Sequence, residues 1–171
     1  NVSKPALYRE FGSEDGLMDA VLVRYIDTVF AALADLIGEP RPFPEILRDL
    51  VMVMTEDEER VTPAGCLIVK MGADASKFGP LTQARLEAFN AQRRAVFLEW
   101  IRGAQSRNEI NPEVSADLAA SYLETQLGTI LTQAAAGAAR DEIRAQAALA
   151  FAALTRMTEA PLWVGAPAGT N

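Results

Sequence analysis

The side chains of this chain best placed to do chemistry stand at its beginning, and the chemistry is recognition. Ser3, Lys4, Pro5, Ala6, Tyr8 and Arg9 lie within two turns of one another, and at 100° per residue Lys4, Pro5, Tyr8 and Arg9 sweep one arc while Leu7 falls outside it. An ammonium, a guanidinium and a phenol on one side of a helix are donors suited to phosphate oxygens and base edges. Bond-making chemistry is poorly supplied. The chain contains no histidine, which closes off Ser–His and Cys–His nucleophile systems and His-bearing metal sites. The cluster Glu56-Asp57-Glu58-Glu59 lacks an alternating ligand pattern with a loop glycine and reads as a solvated loop. No Gly-rich phosphate cradle accompanies it. The chain is therefore expected to be no enzyme and to need neither metal nor cofactor.

The elements that must hold these donors can be read around them. Ser3 caps a short helix from about Lys4, and Pro5 falls in its first turn, where a missing N–H costs little. Phe11 is expected to close that helix against the core, Gly12 to permit a left-handed exit, and Ser13 to cap a longer helix from about Glu14. The run VSKPALYREFGSEDGL, residues 2–17, resembles the recognition helix and following turn of TetR-family transcriptional regulators, with Leu17 as the next anchor. The resemblance implies that Ser3, Lys4, Pro5, Ala6 and Arg9 face the major groove, that Tyr8 bonds a phosphate, and that Leu7 and Phe11 are structural. Where such regulators usually carry a lysine after the capping serine, this chain has Glu14 and Asp15, which suit the helix dipole and repel phosphate. The helices expected ahead of Val2 are missing, so the chain reads as starting inside the motif and is expected to bind an operator poorly by itself.

Composition agrees with a folded intracellular protein. The 171 residues, 50% hydrophobic, suffice for one sizeable core plus the remnant of a small domain. A net charge of −7 excludes a nonspecific nucleic-acid coat, so DNA contact has to be local. Lys4, Arg9 and Arg24 are opposed by Glu10, Glu14, Asp15 and Asp19 even near the start. One cysteine, Cys66, excludes an internal disulfide framework and is read as buried and inert, a redox sensor being the lesser alternative. No apolar run is long enough to span a bilayer, and a cytoplasmic location is expected.

Gly and Pro punctuation with helical periodicity predicts an all-α fold: a truncated helix-turn-helix DNA-binding domain, residues 1–13, then a helical effector-binding and dimerisation domain, 14–159, and a tail, 160–171. Helices are predicted from about Glu14 to Gly38, Pro44 to Thr55, Pro63 to Ala75, Pro80 to Ser106, Ser115 to Ala136 and Asp141 to Met157. The last two bear Leu123, Leu127, Ile130, Leu131, Phe151 and Leu154, too many apolar positions for one stripe. TetR-like proteins pair two such helices per subunit, so these residues are expected in a homodimer interface, unless one subunit satisfies both faces. Two-fold symmetry implies recognition helices roughly 34 Å apart and a palindromic or near-palindromic operator.

A sensor is expected among the central helices. Met54, Met71, Phe89, Arg93, Phe97 and Gln126, with Met52, Trp100 and Asn90 nearby, offer soft, aromatic and polar surface for a small, largely apolar effector. The reading as a whole is a ligand-responsive transcriptional regulator, a repressor released by its effector. The alternative is a helical dimeric small-molecule-binding module that does not touch DNA.

Overall fold

A computed structural model describes residues 9–56 and 67–156, and the described residues are helical throughout apart from turns and short connections. Residues 9–11 are helical. They lead into α1 (Glu14–Ile37), then α2 (Phe43–Thr55), α3 (Leu67–Ala73), a 3₁₀ turn (Ala75–Lys77), α4 (Pro80–Ser106), α5 (Ala116–Ala135) and α6 (Arg140–Arg156). Local chemistry sets most of these ends. Ser13 Oγ accepts from the Gly16 N–H at 3.0 Å, and Ser115 Oγ from Leu118 N–H at 3.1 Å, so both helices have side-chain caps. Pro42 and Pro44 flank the start of α2, and the Phe43 N–H donates to the Glu109 carboxylate at 3.0 Å. Gly137, at φ 77°, supplies the left-handed residue after α5. The third predicted helix is shorter than expected, ending at Ala73 before the 3₁₀ turn. Its predicted start, Cys66 and the predicted tail 160–171 lie outside the described residues.

Helix α4 runs through two separate cores. Leu86 and Phe89 pack with Leu22 and Ile26 of α1 and Ile68 and Met71 of α3, which we call the front cluster. Phe97, Trp100 and Ile101 pack with Phe43 and Leu50 of α2 and with inward residues of α5 and α6, the rear cluster. The Phe43 and Trp100 rings meet there tilted by 45°, with centroids 4.4 Å apart. Burying each large apolar side chain contributes about 1.5–3 kcal/mol, so the rear cluster carries most of the stability.

The rear cluster corrects one expectation. Leu123, Leu127, Ile130, Phe151 and Leu154 are between 0% and 6% exposed within this single chain, and Leu131 is half-buried. Because α5 packs against α2, α4 and α6 together, its several apolar sides are covered by its own chain. The first five are protomer core, and the surfaces that α5 and α6 leave exposed include Leu118 and Leu149.

Candidate nucleic-acid interface and its supporting junction

Of the residues expected to touch DNA, Arg9 lies in the helical stretch 9–11 and is exposed. Ser3, Lys4, Pro5, Ala6 and Tyr8 lie outside the described residues. Beyond Arg9 the chain turns through a tightly specified corner. Gly12 has φ 76°, a conformation that side chains resist. Ser13 then caps α1, and Gly16 admits the Phe11 carbonyl, whose oxygen a Cβ at that position would overlap. Phe11 itself stays 37% exposed instead of closing against the core.

Sequence reasoning missed the next contact. Asp15, read as a helix-dipole residue of α1, reaches across to the start of α4, where its carboxylate accepts from Leu81 N–H at 2.9 Å, Thr82 N–H at 3.1 Å and the Thr82 hydroxyl at 2.6 Å. The first N–H groups of a helix have no partner within it, and α4 starts at Gly79-Pro80 with no capping side chain of its own. Asp15 fills that role from another helix. The Thr82 hydroxyl bond above all, with the Leu81 and Thr82 N–H groups, holds its carboxyl below the ordinary aspartate value of 3.8, against the opposing effect of burial. Gly79 makes room, since a Cβ there would overlap the Asp15 Cγ. One turn along, the Arg85 guanidinium meets both oxygens of Asp19 at 2.8 and 3.2 Å. A usable clue was present in the sequence: a long helix opening on Gly-Pro without Ser, Thr, Asp or Asn needs an outside acceptor.

The six residues expected around an effector are divided. Met71 and Phe89 belong to the front cluster, Phe97 and half-buried Met54 to the rear. Arg93 sits between, 5.5 Å over the Phe89 ring and 3.4 Å from Glu124, which also takes Arg94 at 2.9 Å. Gln126 is half-buried on α5, and Asn90 is exposed. Two surface depressions of about 380 and 260 Å³ lie elsewhere: one between the end of α1 and the middle of α4, bounded by Trp100, and one between α2 and α6, bounded by Met52. None of the six lines either. Among the described residues no carboxylate or cysteine group is arranged to hold a metal ion, and no helix is long and apolar enough to cross a membrane.

No family profile matches the chain, but individual proteins do. The chain is 28% identical over 142 residues to the HTH-type transcriptional repressor ComR of Escherichia coli, covering 81% of this chain and 67% of ComR. It is 36% identical over 73 residues to the repressor BdcR of the same organism, a match spanning 40% of this chain and 36% of BdcR. In three dimensions it is similar to a cysteine-substituted TetR family transcriptional regulator CifR solved with 26 bp operator DNA, with TM-score 0.69, 27% identity, and coverage of 89% of this chain and 80% of CifR. A TetR transcriptional regulator from Rhodococcus aligns with TM-score 0.58, 26% identity, and coverage of 91% and 83%.

Proposed function

We propose that the chain is a ligand-responsive repressor of the TetR family, as the proteins similar to it are regulators and repressors of transcription and not enzymes. The observation that carries this reading is the corner at Phe11-Gly12-Ser13-Gly16, which joins a helix end bearing exposed Arg9 to α1 through a left-handed glycine, a side-chain cap and a backbone approach that only glycine allows. Such a corner fixes a direction. On this reading Ser3, Lys4, Pro5, Ala6 and Arg9 read a major groove and Tyr8 bonds a phosphate.

The working unit is a homodimer reading a palindromic or near-palindromic operator. Its interface is formed by the outer faces of α5 and α6, where Leu118 is 53% and Leu149 78% exposed among the small side chains of Ser121, Ala145 and Ala148. Small residues let two helices approach closely, and an apolar side chain this exposed gains by being covered. The effector is a small, largely apolar molecule that parts the front and rear clusters at the Arg93–Glu124 pair, with Met54, Met71, Phe89, Phe97 and Gln126 around it. Movement of α4 there would reach the reading head through α1, and a coupling of about 1–3 kcal/mol suffices to change occupancy severalfold or more. The domain division 1–13, 14–159 and 160–171 belongs to the same reading.

The test is affinity for duplexes selected from a random pool by the full-length protein, with and without apolar candidate effectors. Tyr8→Phe is expected to weaken binding across sequences, and Arg9→Ala to relax base preference with a loss of about 1–3 kcal/mol. Wild-type affinity in both variants would overturn the assignments. Leu149→Arg is expected to yield monomers in sedimentation.

A further inference from the structure

We propose that Asp15 is a positioning residue for operator binding: by gripping the first turn of α4 it sets the angle at which the Arg9–Phe11 helix end leaves the body, and so the half-site spacing a pair of chains accepts. The inference rests on the DNA-reading dimer proposed above. It arises from a continuous line of contacts. The far half of α4 is anchored by Ile101 and Ala104, both wholly buried in the rear cluster. Its near end offers the orphan donors of Leu81 and Thr82, and Thr82 is itself wholly buried. Asp15 takes these donors with both carboxylate oxygens, so its side chain has no rotational slack. Asp15 lies in the first turn of α1 between the Ser13 cap and Gly16, the two residues that fix the corner after Phe11. A displacement at Asp15 is therefore passed to the helix end that bears Arg9.

An anion at the head of α4 stabilises a helix wherever the carboxylate comes from. This one comes from 66 and 67 residues away, which makes it a strut between two elements and not a local cap. The Asp19–Arg85 pair one turn further braces the same face. Gly79 shows how closely the strut is fitted, because a methyl group there would collide with the Asp15 carboxylate itself.

The experiment uses the full-length protein and the duplex that the wild type selects, with the two half-sites also moved apart or together by one base pair. Asp15→Ala, Thr82→Val and Gly79→Ala are each expected to lose about tenfold in affinity for the selected duplex, within the usual range of coupling energies, and to discriminate less between spacings. Asp15→Asn keeps an acceptor for the Thr82 hydroxyl and is expected to restore most of the spacing preference. The Asp15→Ala/Thr82→Val double variant should be no worse than Asp15→Ala alone, since Asp15→Ala already removes the hydroxyl bond that Thr82→Val removes. A merely structural residue would lower affinity only as far as it lowers the folded fraction, and would leave the spacing preference alone.

A second measurement needs no DNA. In a Cys66→Ser background, spin labels at Glu10→Cys and Glu99→Cys report the distance from the corner to the body of α4, and the distribution is expected to broaden in Asp15→Ala. Unchanged width, or folded variants that keep wild-type affinity and spacing, would overturn the proposal. Failure of the wild type to select any duplex, while the label distribution still broadens, would sink the DNA-reading function and uphold the strut.

Discussion

Helix α4 is held at its two ends by different physics. At its start a carboxylate, a hydroxyl, two backbone N–H groups and an Arg–Asp pair grip it through directional bonds, over a small apolar cluster. Towards its other end Phe97, Trp100, Ile101 and Ala104 sink into an apolar core shared with α2, α5 and α6. Hydrophobic burial is roughly proportional to area and indifferent to direction, whereas a hydrogen bond has a preferred angle. The rear is thus built to keep the chain folded, and the junction to keep it aimed. Damage at the rear should appear as lost stability, and damage at the front as lost function in a folded protein.

The largest effect is expected from Phe43→Ala. Phe43 is wholly buried against Trp100, and removing a core phenylalanine costs about 3–5 kcal/mol. Denaturant unfolding should show that loss, and operator binding should fall only with the folded fraction. Gly12→Ala comes next. At φ 76° an alanine costs roughly 1 kcal/mol, yet operator affinity should drop by more than that figure because the corner itself is altered. If Gly12→Ala costs binding no more than it costs stability, the division of labour between the two ends is wrong.

Tyr122→Phe probes a directional bond of the rear. The phenol donates to the Ala150 carbonyl at 2.8 Å, tying α5 to α6, and its loss should cost about 0.5–1.5 kcal/mol with no change in operator spacing. Burial pushes the Tyr122 phenol above its ordinary 10.0, so the folded state favours the neutral form. That contribution is whole below pH 10 and is lost as the pH rises through the folded value.

Acid separates the two ends in the other direction. Asp15 is held below 3.8 in the folded chain, chiefly by the Thr82 hydroxyl, so its contribution is whole above that pH and is lost as the pH falls through the lower folded value. Asp49, lowered mainly by Arg41, and Glu109, lowered mainly by Arg107, weaken over a similar acid range at the rear. Wild type set beside Asp15→Asn isolates the junction: as the pH falls below 3.8 and through the lower folded value, the wild-type label distribution between Glu10→Cys and Glu99→Cys should broaden, while that of Asp15→Asn should change less.

Most helix boundaries were legible because their causes are local. Ser13, Pro80, Ser115 and Gly137 announce starts and stops within one turn of themselves, and the described helices begin and end beside them. The junction was not legible, since nothing near Asp15 in sequence names Thr82 as its partner. Nor was the fate of Leu123 and Phe151: a helix buried on several sides by its own chain has the same apolar pattern as one covered by a second copy. Arg93 and Glu124 likewise look like ordinary surface charges until α4 and α5 are brought together. In each case the missing information was which element stands opposite.

The smallest effect is expected where the rear half of α4 turns its outer side to solvent. Arg102 pairs with Glu99 at 3.1 Å across one turn, and their side chains are 55% and 76% exposed. Water and salt screen such a pair, and holding two long side chains in one geometry costs entropy. Arg102→Gln should therefore change stability by less than about 0.5 kcal/mol, measured by thermal unfolding, and leave operator affinity as it was. This near-silence is informative because Arg102 lies on the same helix as the strut. A loss of affinity without a loss of stability here would mean that the whole length of α4, and not its grip at Asp15, carries alignment to the reading head.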